Sequence, residues 1–203
     1  MVRDISNMAE IHYIRQKDVL GLGNAVYCAR KFIGNEPFAI LLGDDIVDSA
    51  EPCLKQLMDV YDTYQQPVIG VQPVDWKDTS QYGIISYEKT GSPVMKVLDL
   101  IEKPQMEPPS NMAIMGRYIL TPDIFDYLAY TEPGLGGEIQ LTDALRTLAG
   151  SRDMLAYNFT GKRYDIGSKL GFLKATINFS LQRQDIQAEL MNYLDSIMQP
   201  AVR

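Results

Sequence analysis

The sequence predicts an α/β fold, and three observations carry that prediction. Phe38-Ala39-Ile40-Leu41-Leu42 is an apolar run stopped by Gly43, of strand length and without the alternation of a strand that faces water. Around it, strand-like and helix-like segments alternate, the pattern of a parallel sheet with right-handed crossovers. Asp44 and Asp45 follow just after Gly43, and open α/β sheets bind ligands beyond the carboxyl ends of their strands. A carboxylate set against a core calls for a cationic partner. A divalent metal is the simplest one, so the chain reads as an enzyme that handles phosphates.

The elements follow in order. Ile11–Arg15 reads as a strand, and Gly21-Leu22-Gly23 as a loop before a helix over Asn24–Phe32, whose apolar positions are Ala25, Val26, Cys28, Ala29 and Phe32. Gly34-Asn35-Glu36-Pro37 is a turn into the strand 38–42. Leu54, Leu57, Met58 and Tyr61 give helical spacing over Ala50–Tyr64, and Val68–Val71 is a short buried strand. After Asp75 the pattern changes to strands at Tyr82–Tyr87 and Val94–Ile101, joined through the turn-rich Lys89-Thr90-Gly91-Ser92-Pro93. A proline-rich loop over Glu102–Asn111 precedes a strand at Met112–Leu120. Thr121 caps a helix with Pro122 at its first position, running to about Ala129. A further helix spans Glu138–Leu148, with Ile139, Leu141, Leu145 and Leu148 facing inward. Leu155–Phe159 is a strand and Tyr164-Asp165-Ile166-Gly167 a tight turn. Ser168 caps a helix over Lys169–Leu181, and a last helix from about Gln184 carries a stripe at Ile186, Leu190, Leu194 and Ile197. Without repeats or a linker, residues 1–203 read as one domain.

Composition narrows the function classes. The chain is 46% hydrophobic and 22% charged, suited to a packed core, and its net charge of -7 argues against a nucleic-acid polymer as partner. No apolar run approaches the ~18 residues of a membrane span, and Met1–Ser6 holds no apolar signal segment. Cys28 and Cys53 lie in helical patterns without C-x-x-C spacing, as buried reduced thiols of a cytoplasmic protein. His12 is the sole histidine, in a strand-like stretch, so the usual zinc sites are excluded.

Each chemistry-bearing motif has a plainer alternative. Asp44-Asp45 suits a solvated turn or helix cap as well as a metal site, and Asp48 does not complete an EF-hand. Asp165, in an aromatic–Asp–Ile–Gly turn before a helix, adds a second hard oxygen donor, and two such donors suit Mg²⁺. Gly21-Leu22-Gly23 could offer backbone N–H groups to a phosphate or a base edge, though a tight turn explains it too. It lacks the third glycine of the dinucleotide fingerprint. Glu102-Lys103-Pro104 is either a surface ion pair or a carboxylate for sugar hydroxyls beside an ammonium for phosphate. A helix-start role suffices for Glu138 in Glu138-Ile139-Gln140-Leu141-Thr142-Asp143.

The order of the motifs carries more than any one of them. Gln16 and Gly21-Leu22-Gly23, then Leu42-Gly43-Asp44-Asp45, Tyr82-Gly83, Glu102-Lys103-Pro104, Gly116-Arg117-Tyr118, Glu138–Asp143 and Tyr164–Gly167 resemble the sugar-nucleotidyltransferase family. That family includes the bacterial UTP–glucose-1-phosphate uridylyltransferases and is related to the glucose-1-phosphate thymidylyltransferases. The resemblance implies a Rossmann-like nucleotidyltransferase sheet with helices on both faces and C-terminal helices at about 168–198. It implies that Gln16 and the Gly21 backbone read the uracil edge and that Asp44 and Asp165 hold Mg²⁺. Gly83 would contact the glucose, Glu102 would take its hydroxyls, Lys103 would pair with its phosphate, and Gly116 would give the sugar room. The reaction implied is in-line attack of glucose-1-phosphate on UTP, giving UDP-glucose and pyrophosphate, in a homo-oligomer. Positioning and charge neutralisation would do the chemistry, with no nucleophile–base pair.

Two departures stand out. Asn24 occupies a position where the family often has His. The family's opening strand, its Gly-x-Gly-Thr-Arg loop and a downstream Lys, which grip the triphosphate, have no counterpart, so the fold is expected to lack its N-terminal portion. The strand 38–42 should then present an unpaired edge and exposed apolar surface, and the chain should have little or no uridylyltransferase activity. A non-catalytic nucleotide-sugar binder, or a partner of a full-length homologue, is the main alternative. A metal-dependent glycosyltransferase is a third reading. UTP over dTTP, and glucose over a related hexose, stay open.

Overall fold

A computed structural model describes residues 4, 6–91 and 93–198. After the opening residues come two short helices, α1 (Leu22–Cys28) and α2 (Arg30–Ile33). They are followed by β1 (Phe38–Leu41), β2 (Asp45–Asp48), α3 (Cys53–Tyr64) and β3 (Val68–Pro73). A 3₁₀ turn over Trp76–Gln81 leads to β4 (Gly83–Gly91), β5 (Val94–Glu102), β6 (Met112–Leu120) and α4 (Ile124–Tyr130). A second 3₁₀ turn, Leu135–Gly137, precedes α5 (Leu141–Ser151), β7 (Leu155–Asn158), β8 (Lys162–Asp165), α6 (Lys169–Leu181) and α7 (Gln187–Met198).

The central sheet has the order β1-β6-β3-β7-β5-β4, with β6 also meeting β4, while β2 and β8 form a two-stranded sheet of their own. The expected parallel sheet is corrected to a mixed one. β1 and β3 do run the same way, but β6 lies between them and pairs antiparallel with both. The parallel pair is β3 with β7. The reason is that β6, buried along its whole length and apolar but for Arg117, fills the centre of the sheet from far downstream in the chain.

Apolar positions on the two faces build two cores. One gathers Ile69, Leu100, Leu120, Leu145 and Leu148 with residues of α1, α4 and α5, and the other sets Leu57 and Val60 of α3 against Val68, Met115 and Ile119. Helices therefore cover both faces, as expected. β1 was read as buried on both sides, but it stands at the end of the sheet with alternating half-buried and exposed residues. Among the described residues its outer edge has no ladder partner, as anticipated, and Leu41 is 52% exposed.

Other local differences have local causes. Ile11–Arg15 forms no strand: the stretch is exposed and without a ladder partner among the described residues. The helix expected over Asn24–Phe32 breaks at Ala29 into α1 and α2. α3 begins at Cys53 rather than Ala50, after Pro52. α4 begins at Ile124, because the Thr121 hydroxyl bonds the Asp123 carboxylate instead of capping the helix. α5 begins at Leu141, so Glu138 is extended backbone and not a helix start. Tyr164 and Asp165 end a strand, and the turn follows them. Ser168 does cap α6, accepting from the Gly171 N–H. Ser92, within the expected turn after Lys89, lies outside the described residues. Cys53 is buried, Cys28 half-buried, and both are free thiols. No described helix is long and apolar enough to cross a membrane.

Candidate functional site

The strand ends converge on a cavity of about 310 Å³ whose lining includes Asp44, Gly83, Glu102, Lys103, Gly116 and Asp165. These are six of the eight residues singled out in the sequence. Gln16 and Gly21 stand beside it, where α1 begins and Leu22 forms part of the wall. A larger open groove of about 600 Å³ lies between α4 and α5, lined by acidic and tyrosine side chains such as Asp126 and Tyr130. It holds none of those eight residues, although Asp143 of the Glu138–Asp143 motif lines it.

Pairing of β2 with β8 builds the acidic end of the cavity. Asp45 stands opposite Asp165 in that ladder, and the Ile166 N–H donates to the Asp44 carbonyl at 2.8 Å. Asp44 and Asp165, far apart in the chain, are thereby brought together. A Cβ built on Gly167 would lie 3.2 Å from Asp165 Oδ1 and 3.3 Å from Asp44 Oδ2. One oxygen of each carboxylate thus lies beside the Cβ position of residue 167, and Asp165 Oδ1 also accepts from the Gly167 N–H at 3.0 Å. This donor set suits a hard cation that keeps waters and completes its shell from phosphate oxygens. Among the described residues no cluster of three or more metal-ligating side chains exists.

Behind this pair lies a charge network that sequence reasoning missed. Asp45 is buried and is bonded by the Arg163 guanidinium, whose Nη1 also reaches Tyr82 Oη at 3.3 Å and whose Nη2 lies 3.8 Å from Asp165 Oδ2. Burial pushes the Asp45 carboxyl above its usual range, the Arg163 charge opposes this, and Asp44 adds to it. Arg117 donates from Nη1 to the carbonyls of Leu42 and Gly116, each at 3.0 Å, and from Nη2 to the Asp45 carbonyl. It ties the aspartate loop to β6. Gly116 has a positive φ of 46°, and a Cβ there would press on Asp45 and lie 3.0 Å from Leu42 Cβ. The space its missing side chain leaves is therefore taken by Asp45 and Leu42.

The opposite wall carries the sugar-binding candidates. Glu102 ends β5 opposite Gly83 on β4. Its Oε2 accepts from the Thr142 hydroxyl at 2.6 Å, and its Oε1 lies 3.8 Å from Lys103 Nζ. Lys103 takes a left-handed backbone, φ 42°, and its N–H donates to the Tyr82 carbonyl at 3.0 Å. Burial, helped by the charges of Glu102, Asp45 and Asp44, raises the Tyr118 phenol and keeps it protonated.

At the third side, the Gln16 amide nitrogen donates to the Gly21 carbonyl at 3.2 Å and to Asn24 Oδ1 at 2.8 Å. Asn24, the departure from the family pattern, thus fixes Gln16. The Gly23 N–H is not open to a ligand, because it donates to the Ile139 carbonyl at 2.8 Å. Ile139 in turn donates to the Leu20 carbonyl at 2.7 Å, so the Gly-x-Gly loop is docked on the segment before α5.

Comparison with known proteins identifies the family and the fold. Residues 1–181 match the nucleotidyl transferase family. The chain is 50% identical over 197 residues to UTP–glucose-1-phosphate uridylyltransferase 1 of Staphylococcus saprophyticus, covering 97% of this chain and 69% of that protein. It is 48% identical over 198 residues to the UTP–glucose-1-phosphate uridylyltransferase of Bacillus subtilis, covering 97% and 68%. Among solved structures, a UDP-glucose pyrophosphorylase complexed with UDP-glucose superposes with a TM-score of 0.87 at 43% identity, covering 90% of this chain and 70% of that one.

Proposed function

Because the chain belongs to the nucleotidyl transferase family, we propose that it forms UDP-glucose and pyrophosphate from UTP and glucose-1-phosphate, using Mg²⁺ in the cytoplasm as a homo-oligomer. The observation that carries this is the meeting of the Asp44 and Asp165 carboxylates at Gly167, in one cavity with Glu102 and Lys103. Mg²⁺ held by Asp44 and Asp165 would offset the charge of the α-phosphate and the sugar phosphate.

The chain's own groups do the rest by position. Glu102, with Oε2 engaged by Thr142, turns Oε1 to a sugar hydroxyl. Lys103, half-exposed beside it, meets the sugar phosphate. Gln16 spends its amide nitrogen on Gly21 and Asn24 and offers its amide oxygen to the uracil N–H. Gly83, on the cavity lining, meets the glucose ring through its backbone. The sugar-phosphate oxygen then attacks the α-phosphorus, the bond to the β-phosphate oxygen breaks, and pyrophosphate leaves with the electron pair.

One observation favours a second reading, a nucleotide-sugar binder with little turnover. Among the described residues lining the cavity, the cationic side chains are Lys103 and Arg163, and Arg163 is committed to Asp45. A triphosphate needs more positive charge than that. The deciding experiment pairs pyrophosphate release from UTP, glucose-1-phosphate and Mg²⁺ with calorimetric titration of UDP-glucose. Turnover abolished by Asp44→Ala supports the enzyme, binding without turnover supports the binder, and neither binding nor turnover refutes both.

A further inference from the structure

Resting on the assignment of this cavity to a nucleotide sugar, we propose that Thr142 is a positioning residue that selects which oxygen of Glu102 meets the sugar. Thr142 is the second residue of α5 and is buried, 8% exposed. Its Oγ1 donates to Glu102 Oε2 at 2.6 Å, a bond joining residues 40 positions apart. Both atoms crowd the β4 backbone: a Cβ on Gly83 would lie 3.1 Å from Glu102 Oε2 and 3.2 Å from Thr142 Oγ1. The carboxylate is therefore held between a strand and a helix.

The consequence is asymmetric. The terminal torsion of a glutamate is soft and close to two-fold, so an unrestrained carboxylate presents either oxygen over a wide arc. With Oε2 occupied by the hydroxyl, Oε1 is the acceptor left for a ligand, on the side of Lys103 Nζ at 3.8 Å. Hydroxyls reaching that one direction are favoured, and an epimer that misplaces the hydroxyl loses its charge-assisted bond. Thr142 acts through Glu102. It also links the two ends of the ligand, because the strip just before it is docked by Ile139 on Leu20 and Gly23 of the base-side loop. The carboxylate for the sugar and the turn beside Gln16 thus share one hydrogen-bonded frame.

Calorimetric titrations of the 203-residue chain with UDP-glucose, UDP-galactose and UDP, all with Mg²⁺, test this. Wild type should bind UDP-glucose more tightly than UDP. Thr142→Val keeps the shape and removes the donor. It should lose about tenfold in UDP-glucose affinity, narrow the preference over UDP-galactose, and change UDP affinity by less than about twofold. Thr142→Ser should restore the wild-type pattern. Should Thr142→Val fail to fold, Thr142→Ala judged against Thr142→Ser carries the same comparison. A Val variant that keeps the sugar preference overturns the proposal, as does one that loses UDP and UDP-glucose equally, which marks a purely structural role. Wild type binding UDP as tightly as UDP-glucose would instead remove the sugar assignment, and the role of Thr142 with it.

Discussion

Replacing Arg163 with Met probes the charge network that supports the cavity. The side chains of Arg163 and Asp45 are 14% and 8% exposed, so the pair is shielded from water. Burial already lifts the Asp45 carboxyl above its usual range despite the guanidinium beside it. Removing one partner of a buried pair strands the other charge, which costs about 3–5 kcal/mol. Arg117 stays close by on the Asp45 carbonyl, and its positive charge places the expectation near the lower end, about 3 kcal/mol. For a chain of this size that is a fall in Tm of roughly 6–12 °C. Urea and thermal unfolding in the presence of a chelator would measure it. Adding Asp45→Asn to the Arg163→Met background removes the stranded charge, so the double variant should recover at least about 1 kcal/mol relative to additivity. A single-variant loss below about 1 kcal/mol, with a strictly additive double variant, would refute the reasoning.

Three further outcomes are expected. Burial pushes the Asp123 carboxyl up, but the Thr121 hydroxyl and the Arg152 guanidinium outweigh it and hold the group below its ordinary value of 3.8. The folded state then binds this proton less readily than the unfolded one, so Asp123 stabilises above that value and the contribution is lost as pH falls through the folded pKa. Asp123→Asn should cost less than about 1 kcal/mol near neutrality, since the pair is about a third exposed, and its stability difference from wild type should vanish as pH falls through the folded pKa. Gly116→Ala, at φ 46° and against Leu42 and Asp45, should destabilise by about 1–3 kcal/mol in the same assay. Asp44→Asn and Asp165→Asn should each weaken Mn²⁺ binding more than about tenfold by electron paramagnetic titration while leaving far-ultraviolet circular dichroism unchanged.

Much of the architecture was legible where apolar runs are long or bounded by clear punctuation. β6 was anticipated at Met112–Leu120 and observed there, and Ser168 announced α6. The pairing was not legible, because nothing local in Phe38–Leu41 says that its neighbour is β6 and not β3. β2 and β8 went unread for another reason. Asp45–Asp48 and Lys162–Asp165 are four-residue strands with charged ends that pair, among the described residues, only with each other, so no long hydrophobic run marks them. Ile11–Arg15 shows the converse error, an apolar stretch with no ladder to join. Asp44, Glu102 and Asp165 were readable from their settings: Asp44 just past an apolar run, Glu102 at the end of a strand, and Asp165 in a glycine turn before a helix. Asp45, Arg163 and Thr142 were not, since their partners lie 118 and 40 positions away. The Arg preceding Tyr164-Asp165 was the available hint, as a charge inside an otherwise apolar–aspartate turn asks for a counter-charge.

The most direct test is a crystal of the 203-residue chain grown with UDP-glucose and Mn²⁺, examined by anomalous scattering. The anomalous peak should fall beside Gly167, within coordinating distance of both the Asp44 and Asp165 carboxylates, with the glucose ring against Glu102. A peak bound elsewhere on the molecule, or a sugar lodged away from Glu102, would contradict the account.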